Sequence, residues 1–395
     1  MSTTFRLAIL SDLHAAPKSV PAPYGEIKLF TDQENTAATE HPLKGLERLI
    51  ASESLRADAV VCPGDMTNKA NPQALEYVWN GLQRLCTQLH AKNIIATVGN
   101  HDVDSRGHSP NSFPRESLMR LQPPFPAGES GLSDKYWAHG YYIKTLPDLR
   151  YLVINTCWLH ESRDELERGV VTDYTLERIA AELDHLPKMK TNIAVFHHHP
   201  HPHSDLGLGF DDVIRNGQKL LDMLATNGQW LVLHGHKHHP KLEYAQGQFR
   251  QPIVFACGSF SGRIEGDNSL ISKNYFHFME LELNNTKMQG LIHSWAWIPG
   301  IGWQKYSSSE PSFPSEAGFG CTVDITTLAA AVKNELGSGT PKSWDSITTI
   351  NPELKFLMPK QFSALIKELS SEHKIGLVYD SLGKPVQLGL EILNG

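Results

Sequence analysis

Five short motifs, strung in order along the first part of the chain, carry the residue types that hold metal ions. They are Asp12-Leu13-His14, Gly64-Asp65, Gly99-Asn100-His101-Asp102, the run His197-His198-His199-Pro200, and Gly235-His236-Lys237-His238. Carboxylate and amide oxygens together with imidazole nitrogens suit Zn, Mn and Fe at a hydrolytic centre. Singly, each motif is weak, because an Asp-x-His or a Gly-Asp serves as well as a turn or a cap. Gly-Asn-His-Asp and Gly-His-x-His are rarer, and the ordered set is not explained by turns.

Something must bring these distant residues together, and the flanking sequence says what. Each motif follows an apolar run that reads as a strand: Leu7-Leu10, Ala59-Val61, Ile94-Val98, Ile193-Phe196 and Trp230-Leu233. Runs apolar on both faces belong to buried sheets, and ligands of α/β sheets gather at the strands' carboxyl ends. Between the runs the spacing turns helical. Leu43, Leu46, Leu49 and Ile50 share one face over 42–54, as do Leu75, Val78, Trp79, Leu82 and Leu85 over 72–90, where Pro72 suits a first turn. Residues 174–186 and 217–226 read as further helices, and 253–256, 275–283 and 290–298 as further strands. This alternation predicts a layered α/β domain.

The order and residue types of the five blocks, over about residues 5 to 300, resemble the calcineurin-like metallophosphoesterase superfamily. The resemblance implies a four-layer α-β-β-α sandwich of two stacked mixed sheets. It also implies two metal ions (Mn, Fe or Zn). Asp12, His14, Asp65 and His238 would hold the first metal; Asp65, Asn100, His198 and His236 the second, with Asp65 bridging. Such a pair clamps phosphate oxygens and lowers the pKa of a bridging water, giving a hydroxide that attacks a phosphodiester. His101 would protonate the leaving group or stabilise its charge, and Asp102 would keep that imidazole charged through a carboxylate–histidine hydrogen bond.

In the histidine run, the family pattern places the ligand two residues before the proline, which selects His198. Side chains alternate along a strand, so a one-residue slip of register would select His197 instead. His199, His201 and His203 then belong to the pocket or to a solvated loop. Two proline-rich segments, 15–41 and 104–137, follow ligand motifs and read as irregular loops that shape the substrate pocket. Arg106, His108, Asn111 and Arg115 are candidate phosphate or nucleoside contacts there.

Met66-Thr67-Asn68, Pro72 and Tyr77 are similar to the branch of class III cyclic-nucleotide and glycerophosphodiester phosphodiesterases, which implies a small, nucleotide-like diester as substrate. A metal-dependent DNA or RNA nuclease is the enzymatic alternative, and a non-catalytic nucleotide sensor or partner-binding protein the alternative of another class. The formal net charge of -7 over 395 residues argues against a nonspecific nucleic-acid surface. Cys62, Cys86, Cys157, Cys257 and Cys321 are odd in number, form no CxxC pair and mostly sit in apolar runs, as small buried hydrophobes do. With no basic leader before the first strand and no long apolar span, a cytoplasmic protein that does not enter membranes is expected.

A catalytic domain over 1–305, a linker rich in Ser, Pro and Gly over 306–320, and a small α+β accessory unit over 321–395 complete the expected organisation. The accessory unit reads as helices at 327–336 and 359–373 followed by a hairpin. That pattern suggests a winged-helix DNA reader, but from Asp324 onward eight acidic residues face seven lysines and no arginine. Phosphate binding needs a basic excess on one face. A unit that docks a partner or a second copy, or that covers the pocket, is expected instead.

Overall fold

The computed structural model describes residues 4–18, 27–32, 36–103, 113–160, 168–203, 212–245, 251–263, 273–283, 287–305, 313–337, 340–380 and 385–390. In chain order these form β1 (Thr4–Ile9), α1 (Pro42–Glu53), β2 (Ala59–Cys62), α2 (Pro72–Leu89), β3 (Asn93–Ala96), α3 (Pro114–Met119), α4 (Ser130–His139), β4 (Tyr141–Thr145) and β5 (Leu149–Ile154). Next come α5 (Asp173–His185), β6 (Thr191–Val195), α6 (Gly217–Thr226), β7 (Trp230–His234), β8 (Pro240–Tyr244), β9 (Ile253–Cys257), β10 (Tyr275–Glu282), β11 (Gln289–Ile298), β12 (Gly302–Gln304) and β13 (Glu316–Phe319). The chain closes with α7 (Ile325–Leu336), β14 (Lys342–Ser343), α8 (Trp344–Ile350), a 3-10 turn (Pro352–Phe356), α9 (Pro359–His373), β15 (Ile375–Tyr379) and β16 (Pro385–Leu390).

Two mixed sheets carry the ligand motifs. One runs β12-β11-β10-β1-β2-β3 with β13 added on β11, and the other β4-β5-β6-β7-β9-β8. Parallel pairs join β1 to β2 and β2 to β3 in the first sheet, and β5, β6, β7 and β9 in the second. All the strands that lead into ligand motifs therefore end at one pole of the domain. Leu231, Leu233, Ile193 and Val195 point into the core shared with the first sheet. Ala194, Phe196 and Val232 point outward against Leu176, Ile179, Leu220 and Leu224 of α5 and α6. Burying each such side chain stabilises the fold by about 1.5–3 kcal/mol. On α2, Asn71 caps the first turn by accepting from Ala74 N, and Trp79 and Leu82 are fully buried.

Some expectations need correction. Segment 104–137 is not one irregular loop: α3 and α4 occupy much of it, and Trp79 Nε1 donates to the Pro123 carbonyl at 2.8 Å. β4, β5 and α8 were not anticipated. The stretch expected as a linker is in part core, because β13 pairs with β11 at Gly290–His293 and both Phe313 and Phe319 are buried in the main core. All five cysteines are unpaired. Among the described residues, no helix is long and apolar enough to cross a membrane.

The C-terminal unit has its own core of Leu328, Val332, Ile347, Leu365 and Leu369. It attaches at the pole away from the ligand motifs. Tyr244 Oη donates to the Cys321 carbonyl at 3.2 Å, and Lys287 pairs with Glu353 at 2.7 Å. These contacts lie level with Gly290, which registers through Leu281 to Phe5, the start of β1; Asp12 follows its end. A strand's length, on the order of 20 Å, separates the two. A pocket-covering role does not fit this position. Truncation after Gly320 is expected to leave a folded, metal-binding domain. Truncation after Tyr306 should cost about 3–5 kcal/mol for each lost core phenylalanine, read as a lower melting temperature. Equal melting of the two truncated proteins would show that 307–320 adds nothing to the core.

Candidate metal centre

The loops after β1 and β2 run side by side: Asp12 N donates to the Gly64 carbonyl at 3.1 Å and His14 N to the Asp65 carbonyl at 3.0 Å. Asp12, His14, Asp65, His236 and His238 all adopt positive φ, at 52, 49, 51, 84 and 56°. Non-glycine residues seldom enter this region, and strained backbone gathers at functional sites. Gly99 is required where it stands, since a Cβ there would overlap the Asp65 carboxylate.

The side chains converge in two groups that share one oxygen. In the first, His14 Nε2 lies 2.9 Å from His238 Nε2. It also lies 3.5 Å from Asp65 Oδ2, and His238 Nε2 lies 3.4 Å from Asp12 Oδ1. In the second, His197 Nε2 lies 3.1 Å from Asn100 Oδ1, which His236 Nδ1 approaches to the same distance. His197 Nε2 also lies 3.3 Å from Asp65 Oδ2. Donors bonded to one cation at about 2.1 Å stand about 3–3.5 Å apart, so both groups fit a metal ion.

The outer nitrogens support this fit. His236 Nε2 stands 3.5 Å from Asp212 Oδ2 without a hydrogen bond, whereas His197 Nδ1 meets the Pro63 carbonyl at 2.9 Å and His238 Nδ1 meets the Arg263 carbonyl. Metal-binding histidines are held in this way, with the far N–H donated to a carbonyl or carboxylate and the near nitrogen left as the acceptor. Asp212, itself ion-paired with Lys237, was not expected from the sequence.

Electrostatics agree with a cation site. Burial opposes the charge on Asp12, but bonds with His14 and His238 outweigh it and hold the carboxyl well below its usual range. Burial likewise opposes Asp65, which the charge of His197 and His101 pulls far down. The reciprocal effect of Asp65 overcomes burial at His197 and raises it to about 9. His236 falls to about 3, through burial and then the charge of His197.

Three expected roles change. His197, not His198, faces Asp65 and Asn100. It shares the inward phase of Ile193 and Val195, while His198 follows the outward Phe196 and meets Thr156 Oγ1 through Nδ1 at 2.8 Å. Asp102 does not act as expected on His101. It accepts from Thr67 N through Oδ1 and from Gly99 N through Oδ2, each at 2.9 Å, and so ties the second and third motifs together. Burial, then the charge of Asp65, raises its carboxyl to about 7. His199 is no open pocket residue: it is 2 % exposed and packs against His203, His234 and His236.

His101 stands beside the first group, its ring 4.6 Å from that of His14, and its backbone N donates to Asp65 Oδ1 at 2.8 Å. Arg115 stacks over Trp158, with 5.2 Å from guanidinium to ring. Arg106, His108 and Asn111 lie outside the described residues.

Three solved structures show low-level likeness. The protein TT1561 of Thermus thermophilus has 14% identity and a TM-score of 0.38, covering 73% of this chain and 98% of its own. The phosphopantetheinyl hydrolase PptH from Mycobacterium tuberculosis has 14% identity and a TM-score of 0.35, covering 66% and 91%. Vps29 of Chaetomium thermophilum has 10% identity and a TM-score of 0.30, covering 76% and 92%. No curated protein matches the sequence. A family model for a winged helix-turn-helix associated with calcineurin-like proteins matches residues 317–371, from within β13 into α9, so the small C-terminal unit carries a winged helix. The model for calcineurin-like phosphoesterases matches residues 5–240, a span that takes in all five motifs and both ligand groups, and the chain belongs to that family of metal-dependent phosphoester hydrolases.

Proposed function

We propose that the protein is a phosphodiesterase that hydrolyses a small, nucleotide-like diester at a two-cation centre. Asp12, His14, Asp65 and His238 hold one ion, and Asp65, Asn100, His197 and His236 the other. One observation carries this reading: Asp65 Oδ2 lies 3.5 Å from His14 Nε2 and 3.3 Å from His197 Nε2, within reach of both ligand groups. When bound, a pair of such cations polarises phosphate oxygens and makes a nearby water acidic enough to supply a nucleophile near neutral pH.

The chain's own residues do the rest. Asp65 offsets the repulsion between the cations, and the bonds of Asp102 to Thr67 N and Gly99 N hold the ligand loops in register. His101, beside His14 and tied to Asp65 through its backbone, is placed to give a proton from its imidazole to the departing oxygen. A nucleotide-like substrate is supported by the resemblance of the Met66-Thr67-Asn68 segment, whose Thr67 braces Asp102.

A nuclease reading would have the winged helix deliver nucleic acid to the metals. Its contacts at the opposite pole and its balanced charge count against that, and support docking of a protein partner or second copy. Turnover separates the readings. With Mn, bis-p-nitrophenyl phosphate and cyclic mononucleotides should be hydrolysed faster than single-stranded DNA; preference for DNA would favour the nuclease, and no turnover of any of them a sensor. His101→Ala should keep both metals yet lower kcat by about 10²–10⁴ for a poor leaving group, with a smaller loss for p-nitrophenolate, which needs little protonation. Equal losses for both would reduce His101 to a phosphate contact.

A further inference from the structure

Beside the second ligand group lies a cluster to which the two-cation reading gives no task. Cys157, His160 and His198 are 4, 2 and 0 % exposed, and their donor atoms all lie within 4.8 Å of one another. His198 belongs here because of the strand phase that turns it away from Asp65. Its Nδ1 bonds to Thr156 Oγ1 at 2.8 Å, while its Nε2, fully buried, has no hydrogen-bond partner. A buried, unpaired imidazole nitrogen costs about 1–3 kcal/mol, so a native structure that keeps one calls for an explanation. His160 Nε2 meets the Arg168 carbonyl at 2.9 Å, and its ring lies 5.0 Å from that of His198. Two imidazoles, each held through one ring nitrogen by a hydroxyl or a carbonyl, with a thiol in the same cluster, follow the pattern of metal ligands and their supports.

We propose that Cys157, His160 and His198 form a third cation site, for a borderline-soft divalent ion of the Zn2+ class, next to the hydrolytic pair. Thiolate and imidazole select Zn2+ over Mg2+ or Ca2+, and three protein ligands leave a fourth tetrahedral position for water or a substrate oxygen. The surroundings are shaped closely around His198: a Cβ at Gly169 would stand 2.6 Å from the His198 Cβ. The site is contiguous with the centre proposed above, since the His198 and His236 rings lie 4.6 Å apart. Binding converts the Cys157 thiol to thiolate, its proton passing to solvent, so occupancy should fall as pH falls.

Cobalt tests this site by a readout independent of activity. The full-length protein, stripped of metal and titrated with Co2+, should take up three equivalents and develop a thiolate-to-cobalt charge-transfer band in the near ultraviolet. Cys157→Ser, close to isosteric and therefore expected to fold, should lose that band and one equivalent while keeping two. His160→Gln should weaken the band's midpoint by about 10–100-fold. Absence of a thiolate band in the wild-type protein, or an unchanged stoichiometry in Cys157→Ser, would overturn the proposal. Asp65→Asn separates it from the two-cation reading, because that substitution should lose the second ion of the pair and leave the thiolate band intact. Loss of the band in Asp65→Asn would show one joint cluster and not a separate site.

Discussion

Asp65→Asn should leave the protein folded but unable to retain its second metal, with kcat reduced by several orders of magnitude. The expectation follows from what each carboxylate oxygen does. Oδ1 accepts from His101 N at 2.8 Å, a bond that an amide oxygen can keep, so the loop geometry survives. Oδ2 faces both ligand groups, and there the charge matters. Two unit charges about 4 Å apart interact by about 4 kcal/mol at an effective dielectric near 20. Removing one negative charge that faces two dications should therefore cost several kcal/mol of binding, and about 1.4 kcal/mol is a factor of ten. Metal content after dialysis, together with turnover of bis-p-nitrophenyl phosphate, measures both effects. Retention of both ions of the pair and near-normal turnover in this variant would remove Asp65 from the bridging role.

The pole at which the site forms was legible because each ligand motif follows a doubly buried strand, a local pattern. The helices between them were legible from their spacing, and α6 and α9 begin and end where that spacing does. Phase was harder. Ile193-Ala194-Val195-Phe196 is apolar on both faces, so alternation says that His197 and His198 point apart without saying which points inward. That choice is made by tertiary packing, which turns Val195 toward the first sheet and Phe196 toward α5 and α6. Asp212 carried no signal, because its partner His236 lies far along the chain and the carboxylate belongs to no motif. Asp102 misled for a related reason: adjacency to His101 suggested a pair, whereas the turn directs the carboxylate back to Gly99 N and Thr67 N. β13 escaped notice because Glu316-Ala317-Gly318-Phe319 is short and built on small residues. Gly318 is needed there, since a Cβ would strike the backbone at Lys355 and Phe356.

The phase of β6 is also where substitution should discriminate most sharply. His197→Ala should remove a ligand of the second cation and lower kcat by about 10³-fold or more, while the first ligand group, Asp12, His14 and His238, still binds one ion. It also leaves Asp65 without the imidazolium that neutralises it in the metal-free protein, so that form should melt earlier than wild type. His198→Ala is the matched control, one residue on, equally buried and just as histidine-rich in its surroundings. It should keep both ions of the hydrolytic pair and most of its turnover, losing the ion of the thiolate site and about 1–3 kcal/mol of stability from the vacated core space and the stranded Thr156 hydroxyl. Metal content and kcat measured on the two variants side by side decide the matter. If His198→Ala loses an ion of the pair and His197→Ala keeps both, the inward phase belongs to His198. Ile193 and Val195 would then have to face α5 and α6, which would overturn the packing of the second sheet as well as the ligand set.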